Sequence, residues 1–301
     1  MDNFYTAKEA IGKYIAGCDN KINTSALALF GKAILAGIMI GMGAAASSVA
    51  AHTISDVGLA RLTAAVVFPV GLMMVILLGA ELFTGDCLMI MGAASKKQET
   101  GDVTKVLTTV FIGNFVGAML LALAIYASGQ LEYSNGILGA YTIKVALAKV
   151  NLSFGKALIS GVLCNILVCA AVLMSLCAKD VTGKLLSSFF TIMLFVTAGF
   201  EHCVANMYYI TAGLIASKNA EYVQLAMEQY GFTANQFSNL TIENFLIANL
   251  LPVTIGNILG GMVFGLALYC LNKAKEPITV KEEKKDESGI IFDNSIAGVW
   301  R

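Results

Sequence analysis

Six apolar stretches of membrane length, separated by polar turns, run along the chain at about 28–51, 62–93, 106–128, 157–178, 185–216 and 245–271. A helix needs roughly 20 residues to cross the hydrocarbon core of a bilayer. The second and fifth stretches are too long for one simple crossing, and polar residues interrupt them: GAELFTGD at 79–86 and GFEHCVAN at 199–206. The two halves also repeat one another. FGKAILAG at 30–37 returns as FGKALISG at 154–161, and IGNFVGAM at 112–119 returns as IGNILGGM at 255–262. The pattern predicts an all-α integral membrane protein of six transmembrane helices, built as two three-helix repeats at about 26–129 and 150–273 with broken second and fifth helices. An odd number of spans per repeat forces the second copy to lie inverted relative to the first. Inverted repeats with a broken helix in each copy are a transporter and channel architecture, with the site at the repeat interface.

Composition narrows the class. Hydrophobic residues make up 57% of the 301 and charged residues 13%, with a mean hydropathy of +0.75, which fits a chain solvated by lipid. The formal charge is zero and no basic groove is apparent, so the bilayer is an expected partner and nucleic acid is not. Of seven cysteines, Cys87, Cys164, Cys169, Cys203 and Cys270 lie in or at the ends of apolar segments, and no CxxC spacing occurs. That usage argues against a zinc site or a disulfide framework.

The first 25 residues are polar, carry Lys8, Lys13 and Lys21, and lack the apolar core of a signal peptide. They are predicted to form an amphipathic helix on the membrane surface. With the N-terminus cytoplasmic, that face receives eleven lysines (8, 13, 21, 32, 96, 97, 105, 179, 184, 273 and 275). The other face receives five basic residues, Arg61, Lys144, Lys149, Lys156 and Lys218. This imbalance predicts both termini inside. Residues 129–156 are expected as a long outward loop, and 217–241 as an extra polar stretch peculiar to the second half. Mixed charge after residue 275 predicts a disordered cytoplasmic tail at 276–301, leaving 1–275 as the membrane domain.

The breaks hold the candidate chemistry, because non-helical backbone at membrane depth must line a cavity or be buried in protein. Aligning Glu81 with Glu201 pairs Leu82 with His202, Thr84 with Val204, and Asp86 with Asn206. Helix N-termini after each break offer N–H groups and partial positive charge, which attract anions. Neither break contains Lys or Arg, so an anion site there would rest on dipoles and neutral donors. His202 is an intramembrane ionisable residue and a functional candidate by default, against the alternative of a structural histidine bonded to a backbone carbonyl. Thr84 offers a hydroxyl to His202 or to a passing ion. Glu81 and Glu201 read either as proton or cation carriers or as scaffolds that accept backbone N–H bonds near a helix start; their symmetry favours the scaffold. Asn114 and Asn257, equivalent in the repeats, are expected to hydrogen-bond the broken loops. No metal site is expected, since His52 is remote and Cys203 stands alone beside His202.

ELFTGD, FGKA, NILVC at 165–169 and GFEHCVANMYY at 199–209 together resemble the formate/nitrite transporter family, and the likeness covers nearly all of residues 1–275. The resemblance implies an aquaporin-like protomer with its own pore, a homopentamer, and a multi-pass protein of the bacterial cytoplasmic membrane. It also implies a channel or transporter without cofactor rather than an enzyme. By the same resemblance Thr84 and His202 form the central polar pair. Leu72, Leu82 and Phe83 would form the cytoplasmic constriction, and Phe68 and Phe195 the outer one. Lys149 would draw anions inward, Asn165 and Asn206 would give polar support, and Glu201 would orient its loop, while Glu81 keeps the loop-scaffold reading that repeat symmetry gives it. The pattern looks most similar to the hydrosulfide-channel branch, which ranks HS⁻ first, formate second and nitrite third. A membrane enzyme finds no nucleophile motif, cofactor fingerprint or metal-ligand set in the chain. A water or glycerol channel would carry paired Asn-Pro-Ala breaks, yet the prolines are Pro69, Pro252 and Pro277.

Overall fold

The structure, a computed structural model, describes residues 4–273; the tail expected at 276–301 lies outside the described residues. The helices in chain order are α1 (Ala7–Ile22), α2 (Ala26–Ala51), α3 (Val57–Val67), α4 (Val70–Leu78), α5 (Phe83–Asp86), α6 (Ile90–Ala94), α7 (Thr100–Ala127) and α8 (Ile137–Val150). They continue as α9 (Phe154–Cys177), α10 (Val181–Ala198), α11 (Cys203–Ala216), α12 (Ala220–Tyr230), α13 (Ala234–Phe237) and α14 (Leu251–Asn272). Six helices among the described residues are long and apolar enough to cross a membrane, in the places hydropathy indicates. The second of them, Val57–Leu78, is α3 and α4 in series. They meet at Pro69, which has no N–H for the helix ladder.

Both breaks follow one backbone path. Gly79 ends α4 at φ 67°, ψ 33°, and Gly199 ends α10 at φ 73°, ψ 32°; both are left-handed C-caps that glycine adopts without steric cost. Three residues later Leu82 (φ −114°, ψ 119°) and His202 (φ −111°, ψ 116°) start the returning helices from nearly the same extended geometry. Short apolar helices, Phe83–Ala94 and Cys203–Ala216, complete the interrupted spans.

The repeats are not identical in packing. In the first, Gly117 of α7 lies on the Ile34 carbonyl of α2. In the second, the counterpart carbonyl, that of Leu158 on α9, lies on Gly256 of α14 instead, and Gly260 rests on Val162. Gly256 corresponds to Gly113, so the second pair of helices crosses about one turn further along, roughly 5 Å. The α14 span also opens with a π-helical turn over Asn244–Leu250, an inserted residue that rotates the faces before it.

Two expectations are corrected, and a third stretch gains structure that its polarity did not reveal. The stretch 129–156 contains α8, whose Leu138, Ile143, Ala146, Leu147 and Val150 recur at helical spacing and are buried. It is too short to span a bilayer, so hydropathy alone could not distinguish it from loop. The polar stretch 217–241 likewise contains α12 and α13. Finally, α1 does not lie free on a membrane surface. Ala10, Ile11, Tyr14, Ile15 and Cys18 are buried against the protein. The Tyr14 hydroxyl donates to the Gly85 carbonyl at 2.9 Å, and Gln98 donates to Asp19 at 2.9 Å. The broken span leaves backbone polar groups at that end of the molecule, and α1 supplies the donors and apolar cover they require.

Candidate functional site

One asparagine holds each break. Asn114 Oδ1 accepts from Phe83 N (2.9 Å), while its Nδ2 donates to the carbonyls of Ala33 (2.7 Å) and Glu81 (2.9 Å). Asn257 does the same in the other copy: Oδ1 accepts from Cys203 N (2.9 Å), and Nδ2 donates to Gly161 O (2.8 Å) and Glu201 O (3.0 Å). Both asparagines are fully buried. They take the first N–H of each returning helix, so the crown of free donors expected there is partly occupied. They also displace the glutamates from the expected backbone role. Lys149 donates to Glu201 Oε1 (2.9 Å) and Asn206 to Glu201 Oε2 (2.6 Å), whereas Glu81 accepts from Lys21.

The central pair is formed directly. His202 Nε2 and Thr84 Oγ1 are 2.9 Å apart, with His202 3% exposed and Thr84 fully buried. The tautomer follows from the other ring nitrogen. Nδ1 lies 3.0 Å from the Ala205 N–H, an obligate donor, and so presents its lone pair. The neutral imidazole therefore carries its proton on Nε2 and donates it to Thr84, which leaves the threonine O–H available to a further acceptor. Asn165 Nδ2 fixes the Thr84 carbonyl at 3.1 Å and reaches Asn257 O at 2.6 Å, and Cys169 Sγ approaches the same threonine carbonyl at 3.5 Å. Asn165 thus ties the first break to α14 at the asparagine that holds the second.

Cavities lie at opposite ends of α9. One, of about 260 Å³, is lined by Leu72, Leu82, Lys21, Glu81, Asp86 and by Ser175 near the end of α9. The other, of about 690 Å³, is lined by Phe68, Phe195, His202, Glu201 and Lys149, with Lys156 and Ser160 from the start of α9. Phe68 and Phe195 meet edge to face at 5.6 Å, and Phe195 stacks on His202 at 6.0 Å. Leu72 and Leu82 both line the smaller cavity. Phe83 lines neither cavity; its ring packs edge-on against Phe111 of α7 at 4.9 Å.

Charge is distributed unevenly. The larger cavity carries Arg61, Lys144, Lys149 and Lys156 against the single carboxylate of Glu201. The smaller carries Lys13 and Lys21 against Glu81 and Asp86. Burial works against the Lys21 ammonium, but the Asp86 and Glu81 carboxylates outweigh it and hold its pKa above the usual lysine value.

Three contributors escaped the sequence reading. Lys21 of α1 bridges Glu81 and Asp86, the inverted counterpart of Lys149 with Glu201. Tyr14 ties α1 to the first break. Asn249, fully buried in the π-turn, donates to the Lys149 carbonyl (2.9 Å) and accepts from Asn206 (2.8 Å). The only prior signal was the polar residue inside an apolar start to the sixth span.

Comparison with known proteins agrees with this geometry. A sequence profile described as formate/nitrite transporter matches residues 8–271. Formate channel FocA of Haemophilus influenzae is 38% identical over 208 residues, covering 68% of this chain and 72% of that protein. Formate channel FocA of Escherichia coli is 35% identical over 215 residues, covering 71% and 75%. A solved structure described as a pentameric formate channel with formate bound superposes with a TM-score of 0.75 at 33% identity, covering 82% of this chain and 97% of its own. Another, described as an FNT family ion channel, gives 0.73 at 27% identity and covers 87% and 98%.

Proposed function

The chain belongs to the formate/nitrite transporter family, and from that premise we propose that it passes small monovalent anions, formate first, across the bacterial cytoplasmic membrane. It is a multi-pass membrane protein and a channel or transporter by family, not an enzyme. The observation that carries the reading is the buried Thr84–His202 pair, placed between two cavities at opposite ends of α9. An ion passing this point must shed water. The aromatic pair Phe68 and Phe195 on one side and the leucines Leu72 and Leu82 on the other offer it no replacement. The Thr84 hydroxyl does, in a low-dielectric place where one donor counts for more than in water. The four cations of the larger cavity concentrate anions at its mouth.

Formate leads because both FocA relatives are formate channels and because a bent carboxylate presents two strong acceptor oxygens to the Thr84 hydroxyl. Nitrite shares that shape. Hydrosulfide, which the sequence pattern places first, gains no support from these relatives' names. We assign homopentameric assembly by analogy with the pentameric relative, and the face carrying α1 to the cytoplasm from the lysine count. The Nδ1 lone pair of His202 is engaged by Ala205, so a second ring proton would break the cap of α11. Passage of the intact ion past neutral donors fits this arrangement better than proton relay through the imidazole.

Flux into proteoliposomes containing the full chain tests the reading, with formate, nitrite, HS⁻ and chloride compared at fixed pH and voltage. Formate is expected to lead, and Thr84→Val to slow it by at least about tenfold, the equivalent of one lost hydrogen bond to a charged group. Leading HS⁻ flux would transfer the assignment to hydrosulfide, and an absence of all anion flux would end the conduit reading.

A further inference from the structure

We propose that Glu81 and Asp86 hold one proton between them, and that this proton-binding site at the α1-side cavity sets how readily anions enter from that face. The second half of the statement rests on the anion-conduit reading above; the first does not.

The inverted repeat provides the comparison. In the second copy Asn206 Nδ2 donates to the Glu201 carboxylate at 2.6 Å. In the first copy the same position is Asp86, and the Lys21 ammonium contacts both it and Glu81. A carboxylate at this position cannot give Glu81 the proton that the Asn206 amide gives Glu201, whereas a carboxylic acid can. The charge count agrees. Lys21 contacts both Glu81 Oε2 and Asp86 Oδ1, so one ammonium serves two carboxyls that are 7% and 2% exposed. The second copy sets one ammonium, Lys149, against one carboxylate, with Asn206 and Asn249 supplying neutral donors. Asp86 Oδ2 is buried and has no hydrogen-bond partner among the described residues. A bare buried oxygen is costly on an ionised carboxylate and far less so on a carboxylic acid.

Among the described residues no other neighbour supplies the missing charge. The remaining ionisable groups turned toward Asp86 are Tyr14 and Cys18 on α1, Cys87 beside it in the chain, and Cys169 on α9. Phenols and thiols are neutral at pH 7 in the absence of a stabilising cation. Lys13 lines the cavity, but its ammonium lies over the Tyr5 ring, 3.1 Å from the centroid. The proton comes from the solution on the α1 side and returns there, passing the Lys21 side chain, which is 24% exposed. With the proton bound, Lys21, Glu81 and Asp86 sum to zero charge; once it leaves they sum to −1 beside Leu82, and an approaching anion is repelled. Entry from this face therefore falls as pH rises, by about tenfold for one unit charge acting over roughly 12 Å at an effective dielectric of about 20.

Infrared difference spectroscopy of the full-length protein in lipid, titrated with pH, tests the site directly. We expect a protonated-carboxyl C=O stretch at mildly acidic pH that shifts in D2O and disappears as the pH is raised. Asp86→Asn and Glu81→Gln each leave a single carboxyl beside Lys21, so each is expected to abolish the band, and either variant suffices if the other does not fold. A band missing from the wild type, or retained in both variants, overturns the proposal. Anion efflux from the α1 side is the second readout. Wild type is expected to slow about tenfold toward alkali and Asp86→Asn to stay flat; matching profiles overturn the link between the proton and anion entry. A normal infrared titration in a protein that passes no anion would instead sink the conduit reading and leave the proton site standing.

Discussion

The two ring nitrogens of His202 face different partners: Nδ1 caps α11 through Ala205, and Nε2 holds Thr84. Substitutions can separate these roles. Asparagine keeps an acceptor at the N-cap and alanine does not, so His202→Asn is expected to unfold later than His202→Ala by about 1 kcal/mol in thermal denaturation. Both lose the Nε2 bond and both are expected to slow anion flux; equal stability of the two variants would refute the capping role. That His202 is a candidate is apparent from the sequence, because an ionisable residue inside a span is costly. Its tautomer is not, because the Ala205 N–H becomes a partner only once α11 has formed.

At the scale of the helix, glycine acts in two physically distinct ways. Gly79 needs its left-handed conformation, yet nothing lies within 4 Å of where a Cβ would point. Gly79→Ala should therefore cost only the conformational term, about 1 kcal/mol. Gly260 is ordinary helix, but a Cβ there would meet the Val162 carbonyl. Gly260→Ala must push α14 from α9 and is expected to lower thermal stability by more than Gly79→Ala does. Asn257→Leu strands the Cys203 N–H and the Glu201 carbonyl, each at about 1–3 kcal/mol, and is expected to reduce the yield of folded protein sharply. The small-residue spacing and the paired asparagines are visible in the chain. The one-turn offset between the two crossings is not, since both repeats carry nearly the same letters where they cross.

The whole molecule is electrostatically one-sided. Its larger cavity gathers Arg61, Lys144, Lys149 and Lys156 from α3, α8 and α9, while lysine and carboxylate balance in the smaller one. Steering by exposed charge fades once separations exceed the Debye length, about 10 Å at 0.1 M salt. Anion entry from the four-cation face is accordingly expected to slow several-fold as impermeant salt is raised from low ionic strength, with a weaker effect on entry from the α1 face. Equal salt dependence from both faces would contradict the steering argument.

The sequence by itself determined the six spans, the duplication and inversion, the two breaks and the residues at their centres. Hydropathy and repetition are local properties that survive without knowledge of contacts. Only the tertiary structure decided how the buried polar groups pair. Thr84 and His202 are 118 residues apart, and Lys21 is 60 from Glu81. Helices α8 and α12, too short or too polar to register as spans, likewise took shape only against their neighbours. Inside a membrane protein every buried donor needs an acceptor, but the chain does not state which one will be in reach; the packing of distant helices does.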